Sequence, residues 1–238
     1  MMSPNVPSVQ EPSPGFVTDR LAEAARYTLL RRLAPSMRHH LVVNLQPIGM
    51  IYEVMDRRLK APQPALAEVH ESAHKINSFA KAALHSCLDV VTWLAPDEDV
   101  ATTADAGVRE CLGLVATSLT FRGYTLRSDI GSIAGDVRRS AMRSVVTAAL
   151  IHATDHSLAP ADLTLAAAAT DPALVLTLTV QPTQGEPSFV AEPAYRHLEW
   201  ADVEALAAAE GVVVSRQGPP LVLQLTLPWS RPTAAADD

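Results

Sequence analysis

Aromatic residues, cysteine, glycine and positive charge are all scarce in this sequence, and each scarcity excludes something. Phe, Trp and Tyr make up 5% of the 238 residues. The core must therefore be assembled mainly from Ala, Leu and Val, a mix that favours close helix packing. The two cysteines, Cys87 and Cys111, form no CxxC pair and give no disulfide framework. A formal charge of −7 argues against a nucleic-acid binder that depends on neutralising phosphates. It leaves room for a local basic patch such as Arg31, Arg32 and Arg38. Apolar runs stop well short of the ~18 residues that a membrane-spanning helix needs. The opening MMSPNVPSVQEPSPG has neither a basic start nor an apolar stretch, so no signal peptide is expected. The default expectation is a cytoplasmic protein without a membrane anchor.

What remains is ordinary for a globular chain: 48% hydrophobic and 19% charged residues, long enough for one large domain or two modest ones. Residues 1–17 read as a Pro- and Ser-rich tail. Helical texture begins at Thr18 or Asp19, either of which can cap it, and Pro35 permits a break or a fresh start. Then come two heptad series. Leu41, Leu45, Ile48, Tyr52, Met55 and Leu59 are spaced 4, 3, 4, 3, 4. Beyond the KAPQP link, Leu66, Val69, Ala73, Ile76, Ala80, Ala83, Cys87, Val90 and Leu94 alternate 3 and 4. Such stripes belong to helices packed at a shallow angle, and the short link makes them antiparallel neighbours over residues 18–96. One hairpin leaves part of both stripes uncovered. Each fully buried Leu or Ile contributes ~1.5–3 kcal/mol, so a second copy completing a four-helix bundle is the expected solution.

After APDED at 95–99 the texture changes. Helices are expected at 102–122, 136–155 and 200–210, and strands at 124–130, 162–169, 173–180, 211–215 and 220–227. This pattern predicts an α/β sandwich over 97–230, with helices on one face of a mixed sheet, and a tail at 231–238. The fold class is thus α+β, a helical hairpin followed by an α/β domain.

The chemistry-bearing segment is MRHHLVVNLQPI, residues 37–48. With Leu41 and Leu45 on the seam, His39 and His40 fall at heptad positions b and c, off the packed stripe. A solvent-facing imidazole titrates near pH 6.5 and, unprotonated, is a nucleophile. On the helix alone, two ordinary surface histidines are the simpler account. The order of elements changes that balance, because residues 20–228 resemble a histidine-kinase core: a dimerising hairpin followed by an α/β ATP-binding domain. The family's phospho-acceptor motif runs His, acid, Leu, then apolar residues six and nine positions after the His; here it reads His39, His40, Leu41, Leu45 and Ile48. ATTADAGVRECLGLVATSLTFRGYTLRSDI is similar to the junction into the ATP domain, SAMRSVVTAALIHATDHS to the helix that carries the Mg-binding Asn, and EGVVVSRQGPPLVLQLTLP to the closing hairpin.

The departures from that pattern carry more information than the matches. The expected Asn falls at about His152, with Ala148 one turn earlier. The Asp-x-Gly-x-Gly box should follow LVLTLTV, where the chain reads QPTQGEPSF; Gly185 is the only glycine between 136 and 210. Phosphate cradles need glycines so that backbone N–H groups can approach the anion. The acid that follows the phospho-acceptor is replaced by His40, Val43 stands where phosphatase-competent relatives carry Thr or Asn, and Pro47 interrupts the helix ladder. The resemblance therefore implies a histidine phosphotransferase derived from a degenerate kinase, without autokinase activity and with no cofactor of its own. His39 would accept and donate the phosphoryl group, with Arg38 steadying its charge and His40 a neighbouring proton partner or a bystander. A receiver domain of a response regulator would supply the Mg²⁺ and the acidic pocket, an upstream hybrid kinase is a further candidate partner, and the chain would act as a homodimer.

Two rivals stand beside it. One is a docking module for a receiver or kinase, without chemistry. The other is a zinc hydrolase: His70, Glu71 and His74 match H-E-x-x-H on a helix. Charged Glu68 and Lys75 sit badly with that motif, and Glu98 or Glu110 as third ligand are guesses. A solvated flank is the expected fate of His70 and His74, and His85, His152 and His156 read as surface or satisfied core residues.

Overall fold

The protein is described from a computed structural model covering residues 14–95, 100–185 and 195–230. The tail expected at 231–238, most of the tail at 1–17, Glu98 and the end of QPTQGEPSF lie outside the described residues.

Helix α1 runs Pro14–Leu59 without interruption, through both Pro35 and Pro47. The break or fresh start that Pro35 permits does not occur, and the helix starts ahead of Thr18. A proline withholds one N–H from the helical ladder but does not forbid the helix if packing holds both sides. Leu33 and Met37, buried on either flank of Pro35, supply that packing. Helix α2 (Leu66–Leu94) returns antiparallel, as pairings of Asn44 with Ser86 and of Arg58 with Ser72 and Glu68 record.

The heptads divide in two. Leu41, Ile48 and Met55 of α1, with Val69, Ile76, Ala83 and Val90 of α2, are at least half-buried within the hairpin. The alternate set, Leu45, Tyr52 and Leu59 with Leu66, Ala73, Ala80, Cys87 and Leu94, is exposed. Side chains three and four apart share a helix face but not one line. One half of each stripe therefore meets the partner helix and the other half looks sideways.

Beyond the hairpin, β1 (Ala101–Thr103) pairs with β3 (Asp136–Arg138) in a small antiparallel sheet. Helix α3 (Ala104–Phe121) starts at Thr103, whose hydroxyl accepts the N–H of Ala106. The strand β3 occupies the first turn expected of the next helix, which starts at Arg139 instead. That helix is continuous to Asp155 in three parts: α4 (Arg139–Ala141), a π-helical turn (Met142–Val146) and α5 (Thr147–Asp155). Helix α6 (Trp200–Glu210) opens on a capping box between Glu199 and Asp202 and closes on Gly211 at φ +66°, a left-handed position suited to glycine.

The main sheet is mixed, in the order β2 (Tyr124–Asp129), β4 (Ala161–Ala169), β5 (Ala173–Pro182), β7 (Leu221–Pro228), β6 (Val213–Gln217); β2 and β4 are parallel and the other pairs antiparallel. Leu163 and Leu165, Leu174, Leu176 and Leu178, and Leu223, Leu225 and Leu227 all point to one buried face. Thr164, Thr177, Thr179, Gln224 and Thr226 alternate with them on the other. The helices cover the leucine face, as the sequence implies. Less expected is the reach of that core. Ala25, Leu29, Leu33 and Met37 belong to it, so the first half of α1 packs into the α/β domain and only the second half forms a free stem.

Candidate functional site

Met37 is the last residue of α1 buried in that core, and His39 follows two positions later. His39 is exposed and makes no hydrogen bond or ion pair among the described residues; its ring lies 6.4 Å from that of His40, centroid to centroid. Arg38 is exposed beside it. One and three turns further along the same side of the helix stand Val43 and Met50, both exposed and apolar. His39 thus shares a side of the helix with Val43 and Met50, with the exposed Gln46 between those two, on a helix that is fixed at its other end.

His40 faces differently. It is half-buried and lines a cleft of about 220 Å³ where α1, α2 and α3 meet, with Ser86, Asp89, Trp93, Arg109 and Glu110. Asn44, one turn on, donates to the His40 carbonyl at 3.0 Å and to the Ser86 hydroxyl at 3.2 Å, which ties α1 to α2 beneath the histidine pair. The structure therefore separates the two histidines that sequence placed together: one looks to solvent, the other into the hairpin–domain junction.

The junction itself is held by ion pairs that periodicity could not reveal. Arg32 grips Asp155 bidentately at 2.6 and 2.7 Å, with the two side chains 8% and 0% exposed. Arg122 and the backbone N–H of Leu198 also donate to Asp155, at 3.4 and 3.0 Å. Burial pushes this carboxyl up, but the guanidinium of Arg32, the Leu198 N–H and the charge of Arg122 outweigh it and hold the group below the usual carboxylate range. Arg31, by contrast, stacks over Tyr195. The basic patch suggested by Arg31, Arg32 and Arg38 is therefore not one surface, because Arg32 is spent on Asp155. At the other side of the junction, Glu110 accepts from Arg139 at 2.8 and 2.9 Å and from the buried Arg143. Arg143 also donates to Thr92 at 3.0 Å and lies 4.9 Å over the Trp93 ring, so it clasps the end of α2.

The helix expected to carry a metal-binding Asn presents His152 instead, and His152 is buried. Its Nδ1 lies 2.8 Å from the Leu198 carbonyl, which Nε2 of His156 also approaches at 3.1 Å. Together with Asp155, these residues pin Leu198, itself buried, across the polar end of α5. Asp155, His156 and the Nδ1 atom of His152 are thus engaged within the chain. The Nε2 atom of His152 is buried without a hydrogen-bond partner.

His70, Glu71 and His74 lie on the exposed flank of α2, with Glu71 paired to Lys75 at 2.6 Å. Glu110, one guessed third ligand, is occupied by two arginines. Among the described residues no group of three His, Cys, Asp or Glu side chains is placed to hold a metal ion. No helix among them is long and apolar enough to cross a membrane.

The order of elements is a helical hairpin followed by an α/β sandwich. The chain is similar to the Acinetobacter baumannii histidine kinase AdeS, at 13% identity and a TM-score of 0.45 over 78% of this chain and 98% of that one. It is similar also to a histidine kinase from Burkholderia phymatum (16% identity, TM-score 0.43, 93% and 99% covered) and to a bacterial phosphotransferase (10% identity, TM-score 0.42, 92% and 100% covered). No family model matches the sequence. No curated protein matches it either.

Proposed function

We propose that this chain is a histidine phosphotransferase, in which His39 exchanges a phosphoryl group with the aspartate of a response-regulator receiver domain. The observation that carries this reading is an exposed, unengaged imidazole with Val43 and Met50 exposed on the same side, on a helix whose preceding half is buried in the α/β domain. A neutral imidazole nitrogen attacks the phosphorus of the aspartyl phosphate. The N–P bond forms, the P–O bond to the carboxylate breaks, and the aspartate leaves with the bonding pair. The phosphoimidazolium then sheds its ring N–H proton to water. Mg²⁺ comes with the receiver, and Val43 and Met50 give that partner an apolar seat next to His39.

ATP plays no part in this scheme. Supporting that, His152 stands where a metal-holding Asn is expected, and it is bonded to Leu198. The working form is a homodimer: the outward halves of both heptads form one apolar face that a second copy would cover, completing a four-helix bundle.

The test uses purified receiver domains charged with acetyl phosphate. The wild-type chain and His40→Ala take up label, and His39→Ala takes up none; label surviving in His39→Ala would overturn the assignment. Receiver binding without label in the wild type would favour the docking module. A rise in melting temperature with ATP analogues would contradict the ATP-free scheme.

A further inference from the structure

We propose that Arg32 is a positioning residue: through its bidentate grip on Asp155 it fixes the α/β domain at one angle to the helix that presents His39. The proposal rests on the phosphotransfer reading for its purpose, but the clamp itself stands on geometry.

Arg32 and His39 share one unbroken helix, seven residues or about 10 Å apart. Whatever Arg32 holds is therefore held in register with His39. It holds a carboxylate on which four elements converge: α1 through Arg32, the end of α3 through Arg122, α5 through Asp155 itself, and the segment before α6 through the Leu198 N–H. Burying two charges is costly, and a well-packed apolar pair serves stability as well or better. A bidentate guanidinium–carboxylate pair supplies direction, which apolar contact lacks: two parallel bonds are satisfied at a single relative orientation. Leu29, Leu33 and Met37 by themselves would let α1 slide or rotate on the domain; the Arg32 fork does not.

A second tie keeps the other stem helix in step. Arg143 joins Glu110 of α3 to Thr92 near the end of α2, with Trp93 under its guanidinium. Arg26 adds a third contact, to Glu210 at 3.4 Å. Both stem helices thus meet the α/β domain through directional bonds. A receiver approaching His39 meets stem and domain as one preformed surface and loses less freedom on docking than it would against two loosely joined parts.

The experiment has two readouts on the full chain. In a Cys87→Ser background, spin labels at Lys81→Cys on α2 and Gln224→Cys on β7 report the stem-to-domain distance, with labelled chain diluted into unlabelled chain. The second readout is labelling of His39 by a charged receiver, set against direct labelling by phosphoramidate, which needs no docking surface. The expectation for Arg32→Ala is a broadened distance distribution, a KM for the receiver raised about tenfold, and both turnover at saturation and phosphoramidate labelling within twofold of wild type. Arg32→Lys keeps the charge, loses the fork and falls between the two; it carries the test should Arg32→Ala fail to fold. A wild-type distance distribution in both variants would overturn the clamp. So would a parallel fall in receiver and phosphoramidate labelling, which would mark a local defect at His39. Should no receiver label the wild type, the phosphotransfer reading fails while the distance measurement still decides the clamp.

Discussion

The two halves of α1 are one helix with opposite fates. From Ala22 to Met37 one line of apolar residues, Ala22, Ala25, Leu29, Leu33 and Met37, is buried within the chain, and Tyr27 is the one large apolar side chain exposed. From Val42 to Leu59, seven large hydrophobic side chains are exposed, among them Met50 at 65% and Tyr52 at 57%. The sequence is apolar and periodic in both halves, so the difference lies in what each half is given to cover it. The first half has the sheet's helical layer. The second has only α2, which covers one side. A helix buried at one end and uncovered at the other holds a residue at the boundary in a fixed position and leaves its surroundings open to partners. His39 is at that boundary.

Breaking the buried half should produce the largest effect. Asp155→Ala leaves Arg32 and Arg122 facing a void, and losing one partner of a buried ion pair costs roughly 3–5 kcal/mol. For a chain of this length that is a fall of roughly 6–20 °C in melting temperature, read by calorimetry. A fall of a degree or two would mean that the buried half is held by its apolar contacts alone. Charge placed on the open half should leave the fold intact and act on association. Tyr52→Glu or Leu45→Glu puts a carboxylate into the proposed dimer seam, where each large side chain contributes ~1.5–3 kcal/mol when covered. The dimer dissociation constant should rise about tenfold or more in sedimentation equilibrium, with melting at high concentration changed little otherwise. A wild-type chain that sediments as a monomer at micromolar concentration would remove the second copy from the scheme.

Most of the architecture was legible because its signals are local. Alternation in DLTLAAAA and ALVLTLTV marks β4 and β5 to within a residue or two of where they fall, and the apolar repeat of WADVEALAAAE marks α6. The heptads disclosed the hairpin and, through its length of apolar stripe, the uncovered face. What periodicity does not carry is the identity of the partner: it says that Leu29 and Leu33 want cover, not that the α/β domain supplies it. For the same reason Arg32 and Arg38 look equivalent in sequence, while one is buried on Asp155, 123 residues away, and the other faces solvent. Pro35 left a break or a continuous helix open, because a proline signals a missing bond and the strength of the packing around it is a tertiary property. The candidate His39 came from the order of elements across the whole chain, since the helix by itself offers no signal that separates it from His40 or His74. The cleft at His40 and the Leu198 strap had no signal in the sequence at all.

The smallest effect is expected at the strap, and it depends on pH. Nδ1–H of His152 donates to the Leu198 carbonyl, so the buried Nε2 carries a lone pair with no partner. Protonating it would place an N–H where nothing accepts. Burial accordingly lowers the pKa of His152 from its ordinary 6.5; the Leu198 carbonyl opposes that shift, and the nearby charges of His156 and Arg216 reinforce it. In the unfolded chain His152 takes up its proton near pH 6.5, while the folded chain resists until lower pH. The unfolded state therefore binds more protons in between, and stability is full above pH 6.5 and is lost as pH falls from there through the depressed folded value. Asp155, also depressed, contributes in the same direction but only below about pH 4, its unfolded range. Between pH 7.5 and 5.5 only His152 of the two contributes, because Asp155 begins to act near pH 4. Melting temperature followed from pH 7.5 to 5.5 should fall more steeply in the wild type than in His152→Asn, which keeps an amide donor for Leu198 and cannot titrate. Equal slopes in the two proteins would show that the strap does not feel the charge of His152.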